Sequence, residues 1–430
     1  MRGRHALLVP AIAVLVAVAG GCGSDERPFR IGVLADCQGA LRGYGDAQLS
    51  GAELPFLQRG AHPLGTSPSD GVSAIEVGGR RVELIVGCQE TGEHLIYIEE
   101  ARRLIEAQHV DVVMGGSSVV TRDVAHRYPG SIFVSTFWDE QEVTLRRPAA
   151  NLFRFTPDYA QQEAGLGAYA YNTLGWRRAS IVAGVGNPGW AGAAAFTAEF
   201  CSLGGKVAAT AYAASGGESE AVARALAARP DGVATFLTAF DSQEPILLPL
   251  AAKLDSPRRL LLWGQSFLDP SLLERLGARL DGVVSTTWLP SSPPSAALRD
   301  FRRRWHAAFP GLPGALGSDP VVIGYHNSME ALLTALGRSR VADATSGVEA
   351  ELRRLRLDLP GGSITLDHNR QAVRDGYLSK IVVHGGNPTL APVAVVPHVE
   401  QTFGGLLSSA PPPGPDSQQC RRGSPPSWAQ

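Results

Sequence analysis

Short apolar strands alternate with amphipathic helices through most of this 430-residue chain. Residues 110–114 predict a buried strand, residues 115–118 a glycine–serine turn, and residues 119–127 a helix. This alternation is typical of parallel sheets covered by helices, because parallel strands need a crossover connection between them. One series of such units precedes residue 155 and a second follows it. We therefore predict two successive α/β units.

Four longer segments add detail to this prediction. The pattern of apolar residues predicts single helices over residues 161–174, 296–308 and 319–336. A late hairpin is predicted from strands at residues 362–366 and 377–383.

The charge balance excludes one broad class of function. The chain has 39 Lys and Arg residues against 41 Asp and Glu residues, a formal net charge of −2. A nucleic-acid-binding protein normally shows a basic surplus or a basic stripe, so no nucleic-acid partner is expected. The hydrophobic share of 44% and the charged share of 19% are those of an ordinary globular protein.

The N-terminus has the pattern of an export signal. Arg2 and Arg4 precede an apolar stretch over residues 6–19, which Pro10 interrupts and which is too short to span a bilayer as an anchor. The sequence Ala-Gly-Gly-Cys that ends at Cys22 resembles a bacterial lipobox. We predict a signal peptide over residues 1–21, a lipidated Cys22 and a tether over residues 22–29. An uncleaved anchor and a plain secretory signal are the alternatives.

The remaining cysteines are too few for a disulfide scaffold. Cys37 and Cys88 each follow a predicted strand, and neighbouring strands lie about 4.8 Å apart. If the two strands are parallel neighbours, a disulfide is possible and suits an oxidising compartment; two reduced thiols are the alternative. The sequence does not assign Cys201 and Cys420. No Cys or His pairs have metal-ligand spacing, so no metal site is expected.

The order of these segments resembles one family. The landmarks are Ile-Gly-Val at 31–33, Gly-Gly-Ser-Ser at 115–118, Gly-Tyr-His at 324–326 and the hairpin that starts near residue 362. Together with the lipobox, they make the chain similar to type I periplasmic solute-binding proteins of ABC importers, in the leucine/isoleucine/valine-binding group. The resemblance covers roughly residues 30–399.

The resemblance implies an α/β fold with two Rossmann-like three-layer lobes, parallel-sheet cores and a hinge that the chain crosses three times. Crossings are expected near Phe155, Trp288 and Leu357. The N-terminal lobe would comprise residues 30–155 plus 289–356, and the C-terminal lobe residues 156–288 plus 357–403. The Pro- and Ser-rich composition of residues 404–430 predicts a disordered tail.

Ligands of open α/β sheets bind beyond the carboxyl ends of the strands. Ser117 and Ser118 lie at such a point, where the family holds its ligand's carboxylate; simple capping of the following helix is the alternative. The other predicted contacts come from further strand ends: Phe137, Trp138, Asp139, Trp190, Phe240, Asp241 and Gln265.

Two departures from the family affect the predicted ligand. Trp138 stands where the branched-chain binders have small residues and a Thr, so plain leucine fits poorly; a core or hinge role is the alternative for Trp138 and Trp190. Gln265 stands near the Glu that holds the ligand's ammonium in the family. Asp241 or Asp139 could supply that charge; otherwise the ligand lacks an α-ammonium.

We therefore expect an extracytoplasmic lipoprotein that captures a small amphipathic solute (amino-acid-like, an amide or an aromatic carboxylate) by hinge closure. It would deliver the solute to ABC permease subunits, as a monomer without cofactor or catalytic activity. A ligand sensor for a separate signalling partner is the alternative.

An NAD-dependent or hydrolytic enzyme is a remoter alternative. Residues 184–189 match Gly-x-Gly-x-x-Gly, but Pro188 removes an N–H from the turn and no acidic residue ends the next strand. Residues 264–268 lack the second Gly of a nucleophile elbow.

Overall fold

A computed structural model describes residues 27–39, 41–90, 93–116, 119–136, 140–238, 241–264, 270–287, 289, 295–312, 319–340, 344–408, 410, 412, 414–415, 419–421 and 423–430. Within these ranges, every helix is too short or too polar to cross a membrane. The proposed signal peptide and Cys22 lie outside the described residues.

The first sheet has six strands in the order β2-β3-β1-β4-β5-β6. All of its neighbours pair in parallel except β2 and β3. The three strands β4, β5 and β6 are buried along their whole length, as expected when helices cover both faces of a parallel sheet. The strands are β1 (Phe29–Asp36), β2 (Ile75–Val77), β3 (Arg80–Gln89), β4 (Val112–Met114), β5 (Ile132–Ser135) and β6 (Leu152–Arg154).

Four helices connect these strands. They are α1 (Gly45–Leu57), α2 (His94–Arg102, extended by a wider turn over Arg103–Ala107), α3 (Val119–Arg127) and α4 (Glu142–Leu145). Leu104 and Ala101 pack on one face of the sheet, and Leu49 and Phe56 of α1 pack on the other. The sheet therefore has a separate apolar core on each side.

The second sheet has nine strands, in the order β12-β13-β14-β11-β10-β9-β7-β8, and β15 also pairs with β14. The five strands β7 to β11 run parallel, whereas β14 runs antiparallel to β11 and to β15. The strands are β7 (Arg178–Gly184), β8 (Lys206–Ala213), β9 (Gly232–Phe236), β10 (Leu260–Leu262), β11 (Val284–Thr287), β12 (Leu357–Leu359), β13 (Gly362–Leu366), β14 (Ala372–His384) and β15 (Asn387–Val399).

The helices of this half are α5 (Leu166–Ala168), α6 (Asn187–Ser202), α7 (Glu218–Ala227), α8 (Glu244–Lys253) and α9 (Pro270–Leu276). The prediction of one helix over residues 161–174 is wrong. A short turn over Gln161–Glu163 ends before Gly165, whose φ of 93° is left-handed and breaks the helix. α5 and a wider turn over Tyr169–Thr173 follow.

The chain passes between the two sheets three times, after β6, after β11 and through β12 to β14. Between the last two passages lie α10 (Ala296–Ala308), α11 (Asp319–Arg338) and α12 (Ala344–Arg353). α11 packs so closely on α1 that a Cβ at Gly51 would lie 2.3 Å from the Val322 carbonyl oxygen. The expected fold class, two mixed α/β lobes with parallel-sheet cores, is confirmed; the exact lobe boundaries stay a prediction, and Trp288 lies outside the described residues.

The C-terminal tail differs from the disorder that its composition predicts. Cys420 is disulfide-bonded to Cys201 of α6. The Trp428 ring packs edge-on against Phe403, with ring centroids 5.1 Å apart, and its Nε1 donates a 2.6 Å hydrogen bond to Glu199. A covalent bond and buried aromatic contacts hold the described part of this polar tail against the second lobe.

Candidate functional site

The carboxyl edges of the two sheets face each other. Glu140 follows β5 in the first lobe, and Asn187 is the first residue of α6, directly after β7 in the second. Asn187 Nδ2 donates a 2.7 Å hydrogen bond to Glu140 Oε1. The two strand-end regions therefore form opposite walls of one cleft, and side chains meet across it.

A buried arginine links this cleft to the hinge. Arg154, at the end of β6, is fully buried, and its Nη1 donates a 2.7 Å hydrogen bond to the Glu140 carbonyl oxygen. Its Nη2 donates to Thr144 Oγ1 at 2.5 Å and lies 3.6 Å from Asp158 Oδ2. Burial raises the pKa of Asp158 to about 6, although Arg154 opposes that shift. Arg154 thus connects the hinge to Glu140, whose side chain contacts the opposite lobe.

Gln371 joins two of the chain passages at the same place. Its Nε2 donates to the Thr156 carbonyl oxygen at 2.8 Å and to Gln161 Oε1 at 2.7 Å, and its Oε1 accepts from Arg154. Gln161 Nε2 in turn donates to the carbonyl oxygens of Ala372 and Val399. Hydrogen bonds from these buried side chains to one another and to backbone carbonyl oxygens therefore hold the hinge segments together in this arrangement.

At the first lobe's edge, the turn after β4 requires glycine. Gly115 and Gly116 have φ values of 127° and 72°, and a Cβ at Gly116 would lie 2.4 Å from Tyr97 Cε2. Ser135 Oγ, at the end of β5, donates a 3.1 Å hydrogen bond to the Gly116 carbonyl oxygen. The predicted contacts Ser117 and Ser118, which follow this turn, lie outside the described residues, as do Phe137, Trp138, Asp139, Phe240 and Gln265.

The sequence analysis missed a buried polar group at the end of β1. Asp36 is fully buried, and its Oδ2 accepts a 2.7 Å hydrogen bond from Gln48 Nε2 and a 3.4 Å one from Gln89 Nε2. Gln48 Oε1 accepts from the Asp36 backbone N–H at 2.7 Å. An acidic residue directly after a predicted apolar strand was the available signal. This network fixes the ends of β1 and β3 beside the cleft.

Cys37 and Cys88 lie at the same edge. β1 and β3 are parallel neighbours, with Ala35 opposite Cys88, and the two cysteines are disulfide-bonded with Cα atoms 5.4 Å apart. The bridge joins the residue that follows β1 to the penultimate residue of β3.

The glycine motif of the second lobe has a packing role. Gly186 has a φ of 122° and precedes α6, and a Cβ at Gly189 would lie 2.2 Å from the Gly184 carbonyl oxygen. Glycine at these positions lets α6 approach the end of β7 closely. Trp190, in the first turn of α6, is half-buried at this edge.

Asp241, predicted as a ligand contact, lies at the neighbouring strand end. A Cβ at Gly184 would lie 2.5 Å from Asp241 Oδ1, and Asp241 Oδ2 accepts from the Thr238 N–H at 2.6 Å and from Thr238 Oγ1 at 2.9 Å. Burial raises the pKa of Asp241, and the two Thr238 hydrogen bonds oppose the shift. Trp190 and Asp241 are thus brought together at the carboxyl edge of β7 and β9.

The chemistry of the described cleft residues is that of hydrogen bonding and aromatic contact. Across the described ranges, no three His, Cys, Asp or Glu side chains are grouped so as to hold a metal ion. Two mixed sheets whose strand ends meet across a cleft beside a hinge form a two-lobed α/β architecture.

The comparisons agree with this architecture. A family model described as periplasmic binding protein matches residues 28–387, and the chain belongs to that family. A search of curated proteins found no match.

Solved structures resemble the chain in fold. An ABC transporter substrate-binding protein from Sphaerobacter thermophilus is 24% identical, with a TM-score of 0.73, over 87% of this chain and 99% of that one. A solute-binding protein from Rhodopseudomonas palustris in complex with 3,4-dihydroxybenzoic acid is 18% identical, with a TM-score of 0.69, over 87% and 98%. A leucine-binding protein from Thermotoga maritima is 19% identical, with a TM-score of 0.65, over 85% and 98%.

Proposed function

We propose that this protein is the extracytoplasmic substrate-binding lipoprotein of an ABC importer, without catalytic activity. It captures a small amphipathic solute between its lobes, closes over it by hinge motion and delivers it to membrane permease subunits. Signal-peptide cleavage before Cys22 and lipidation of that residue would anchor it to the cell membrane. The lobes would comprise residues 30–155 plus 289–356 and residues 156–288 plus 357–403.

The observation that carries this proposal is the direct contact between Glu140 and Asn187 across the cleft. The walls of this cleft touch through side chains, and Arg154 connects the hinge to the same Glu140. This arrangement suits a protein that opens and closes. Membership of the periplasmic binding protein family supports the same function.

The described wall of the second lobe favours a ligand with a hydrogen-bond donor. Asp241 Oδ2 accepts from Thr238, both carboxylate oxygens lie beside Gly184 at the strand edge, and Oδ1 can accept from a hydroxyl, amide or ammonium group of the ligand. Trp190 can cover an aromatic or apolar part of the same ligand. Solute-binding proteins of this fold have been solved with 3,4-dihydroxybenzoic acid and with 4-hydroxybenzoate, whose hydroxyl groups are such donors.

The predicted contacts of the first lobe complete the proposed site. Ser117 and Ser118 would hold a carboxylate with their hydroxyl and N–H groups. Phe137, Trp138 and Asp139 would line the same wall, and Phe240 and Gln265 would lie beside Asp241.

A thermal-stability screen of the protein from Ser24 onward tests the binding function. Benzoate, 4-hydroxybenzoate, 3,4-dihydroxybenzoate, leucine, its amide and short peptides form the panel. A ligand that binds only the folded form stabilises it by about 2.7 kcal/mol at a hundredfold excess over Kd. We expect one chemical class to raise the melting temperature and to be recovered unchanged. Consumption of the ligand would instead indicate an enzyme.

Delivery and anchoring need tests in cells. Deletion of the gene should abolish uptake of the solute that the screen identifies, whereas a ligand sensor would leave uptake intact. Replacement of Cys22 by Ala should release the protein from the membrane fraction and abolish lipid labelling.

A further inference from the structure

The chain continues beyond residue 387, where the family match ends, and described residues of its last segment contact both lobes. We propose that the described residues between 401 and 430, here called the strap, bridge the lobes beside the hinge and favour the closed arrangement. This inference rests on the lobe motion of the proposed function but not on the identity of the ligand.

The strap is attached to the first lobe by an arginine. Arg146, which follows α4, donates from Nη2 to the carbonyl oxygens of Leu407 at 2.6 Å and Ala410 at 2.5 Å. Near the start of the strap, Gln401 Oε1 accepts a 3.1 Å hydrogen bond from Thr144 Oγ1, which is also an Arg154 partner. The first-lobe attachment therefore lies directly against the hinge.

The strap is attached to the second lobe covalently and through a buried carboxylate. Cys420 is bonded to Cys201 near the end of α6. Glu199, two residues earlier on that helix and fully buried, accepts from Trp428 Nε1 at 2.6 Å, from the Gly165 N–H at 2.9 Å and from the Ala168 N–H at 3.0 Å. Without Trp428, this carboxylate would lose its side-chain donor.

Apolar packing makes the two attachments one unit. Phe403, Leu406 and Leu407 are buried in a single cluster that also contains Leu145 of the first lobe and Phe200 of the second. Opening of the lobes at this side would pull apart contacts that the strap makes on both walls. The disulfide keeps the strap on α6 when the lobes open, so the carbonyl groups that Arg146 binds stay in place. Closure then carries no repeated entropy cost of ordering this segment.

Helix α6 thereby connects the strap to the cleft. Asn187 at the start of the helix contacts Glu140 in the cleft, and Cys201 near its end holds the strap. A change in the strap should therefore alter the balance between open and closed lobes in the absence of any ligand.

Small-angle scattering of the ligand-free protein from Ser24 onward tests this. A Cys201→Ser/Cys420→Ser variant and an Arg146→Lys variant should each increase the radius of gyration relative to the parent protein. Lysine keeps the positive charge but has one nitrogen in place of two, whereas Arg146 contacts Glu142 through Nη1 and both carbonyl oxygens through Nη2. Because both changes release the same strap, the combined variant should expand little more than the cysteine variant alone.

The matched controls use the chain's other disulfide and another arginine. Cys37→Ser/Cys88→Ser removes a bridge within the first lobe, and Arg303→Lys changes an exposed residue of α10. Both should leave the radius of gyration unchanged. Circular dichroism verifies folding, and if the cysteine variant does not fold, the Arg146→Lys result decides.

An unchanged radius of gyration in the folded strap variants would overturn the proposal. This outcome is independent of the ligand screen, which tests solute binding. If no ligand raises the melting temperature but the strap variants expand, only the proposed function is contradicted. If one ligand raises the melting temperature but the radius of gyration does not change, only the proposed role of the strap is contradicted.

Discussion

Asn187 and Glu140 are hydrogen-bonded across the cleft at 2.7 Å. The same Glu140 accepts a hydrogen bond from Arg154 through its backbone carbonyl oxygen, also at 2.7 Å. One residue therefore contacts the opposite lobe with its side chain and the hinge with its main chain. A change at either contact should affect how the lobes close.

Replacement of Asn187 by Ala should favour the open form. A hydrogen bond to a charged group contributes about 1.5–3 kcal/mol, and partial exposure of this pair should bring the loss to about 1 kcal/mol. Affinity for the ligand that the screen identifies should fall about fivefold, measured by titration calorimetry. Asn387→Ala, at the exposed first residue of β15, is the control. Equal affinities of the two variants would contradict a role in closure.

Replacement of Asp241 by Asn tests the donor group that we expect on the ligand. Asparagine preserves the shape of the side chain, and its carbonyl oxygen can still accept from Thr238. It carries no negative charge at the strand edge beside Gly184. Binding of a hydroxyl- or ammonium-bearing ligand should weaken at least tenfold, which corresponds to about 1.4 kcal/mol. Asp255→Asn, at an exposed site after α8, should bind normally. Undiminished binding by Asp241→Asn would remove Asp241 from the site.

The stability of the protein should depend on pH through Glu53 of α1. Burial, with Asp46 and Asp70 nearby, raises the pKa of Glu53 to about 8 from an ordinary value of 4.5. Between these values the folded form keeps a proton that the unfolded form has lost, so stability is greatest below pH 4.5 and falls as pH rises through 8.

A Glu53→Gln variant should escape this loss because the amide stays neutral. Its advantage over the parent in free energy of unfolding should grow by about 4 kcal/mol between pH 5 and pH 9, measured by urea denaturation. Glu220→Gln, at an exposed helix position, should show the same dependence of unfolding free energy on pH as the parent protein. Parallel pH profiles of the Glu53 variant and the parent would show that Glu53 ionises normally.

The close approach of α6 to β7 should make Gly189 sensitive to substitution. Alanine would place a Cβ 2.2 Å from the Gly184 carbonyl oxygen, and relief requires a shift of the helix. We expect a loss of about 1–3 kcal/mol in the free energy of unfolding, together with weaker ligand binding. Gly130→Ala, which meets no atom within 4 Å, provides the comparison. Equal stability of the two variants would exclude a packing role for this glycine.

The fold was predictable where local pattern decides structure. The predicted bounds of the helix over residues 296–308 match α10, since its apolar residues keep a strict helical period. β15 was missed because Pro388, Pro392 and Pro397 argue against a strand, and only its position at a sheet edge accommodates them. The docked tail was missed because Cys201 and Cys420 are 219 residues apart, and no local pattern pairs them.

The positions of two candidate site residues were predictable, and their role in binding stays a prediction. Strand ends indicated Trp190 and Asp241, and both lie at the edge that faces the first lobe. The contact between Glu140 and Asn187 was not predicted, because it depends on the relative orientation of two lobes that are each specified by their own residues. Likewise, the buried Arg154 network joins chain segments that are up to 217 residues apart.

The edge strand β15 has a consequence for molecules of this protein that crowd together. It is 13 residues long and exposes Val393 and Val395, so a regular strand of this kind would invite a neighbouring chain to extend the sheet. Two register shifts, beside Pro392 and Pro397, interrupt its pairing pattern. Because bulges and prolines deny an incoming strand a continuous ladder, crowded molecules should stay free of edge-to-edge aggregation.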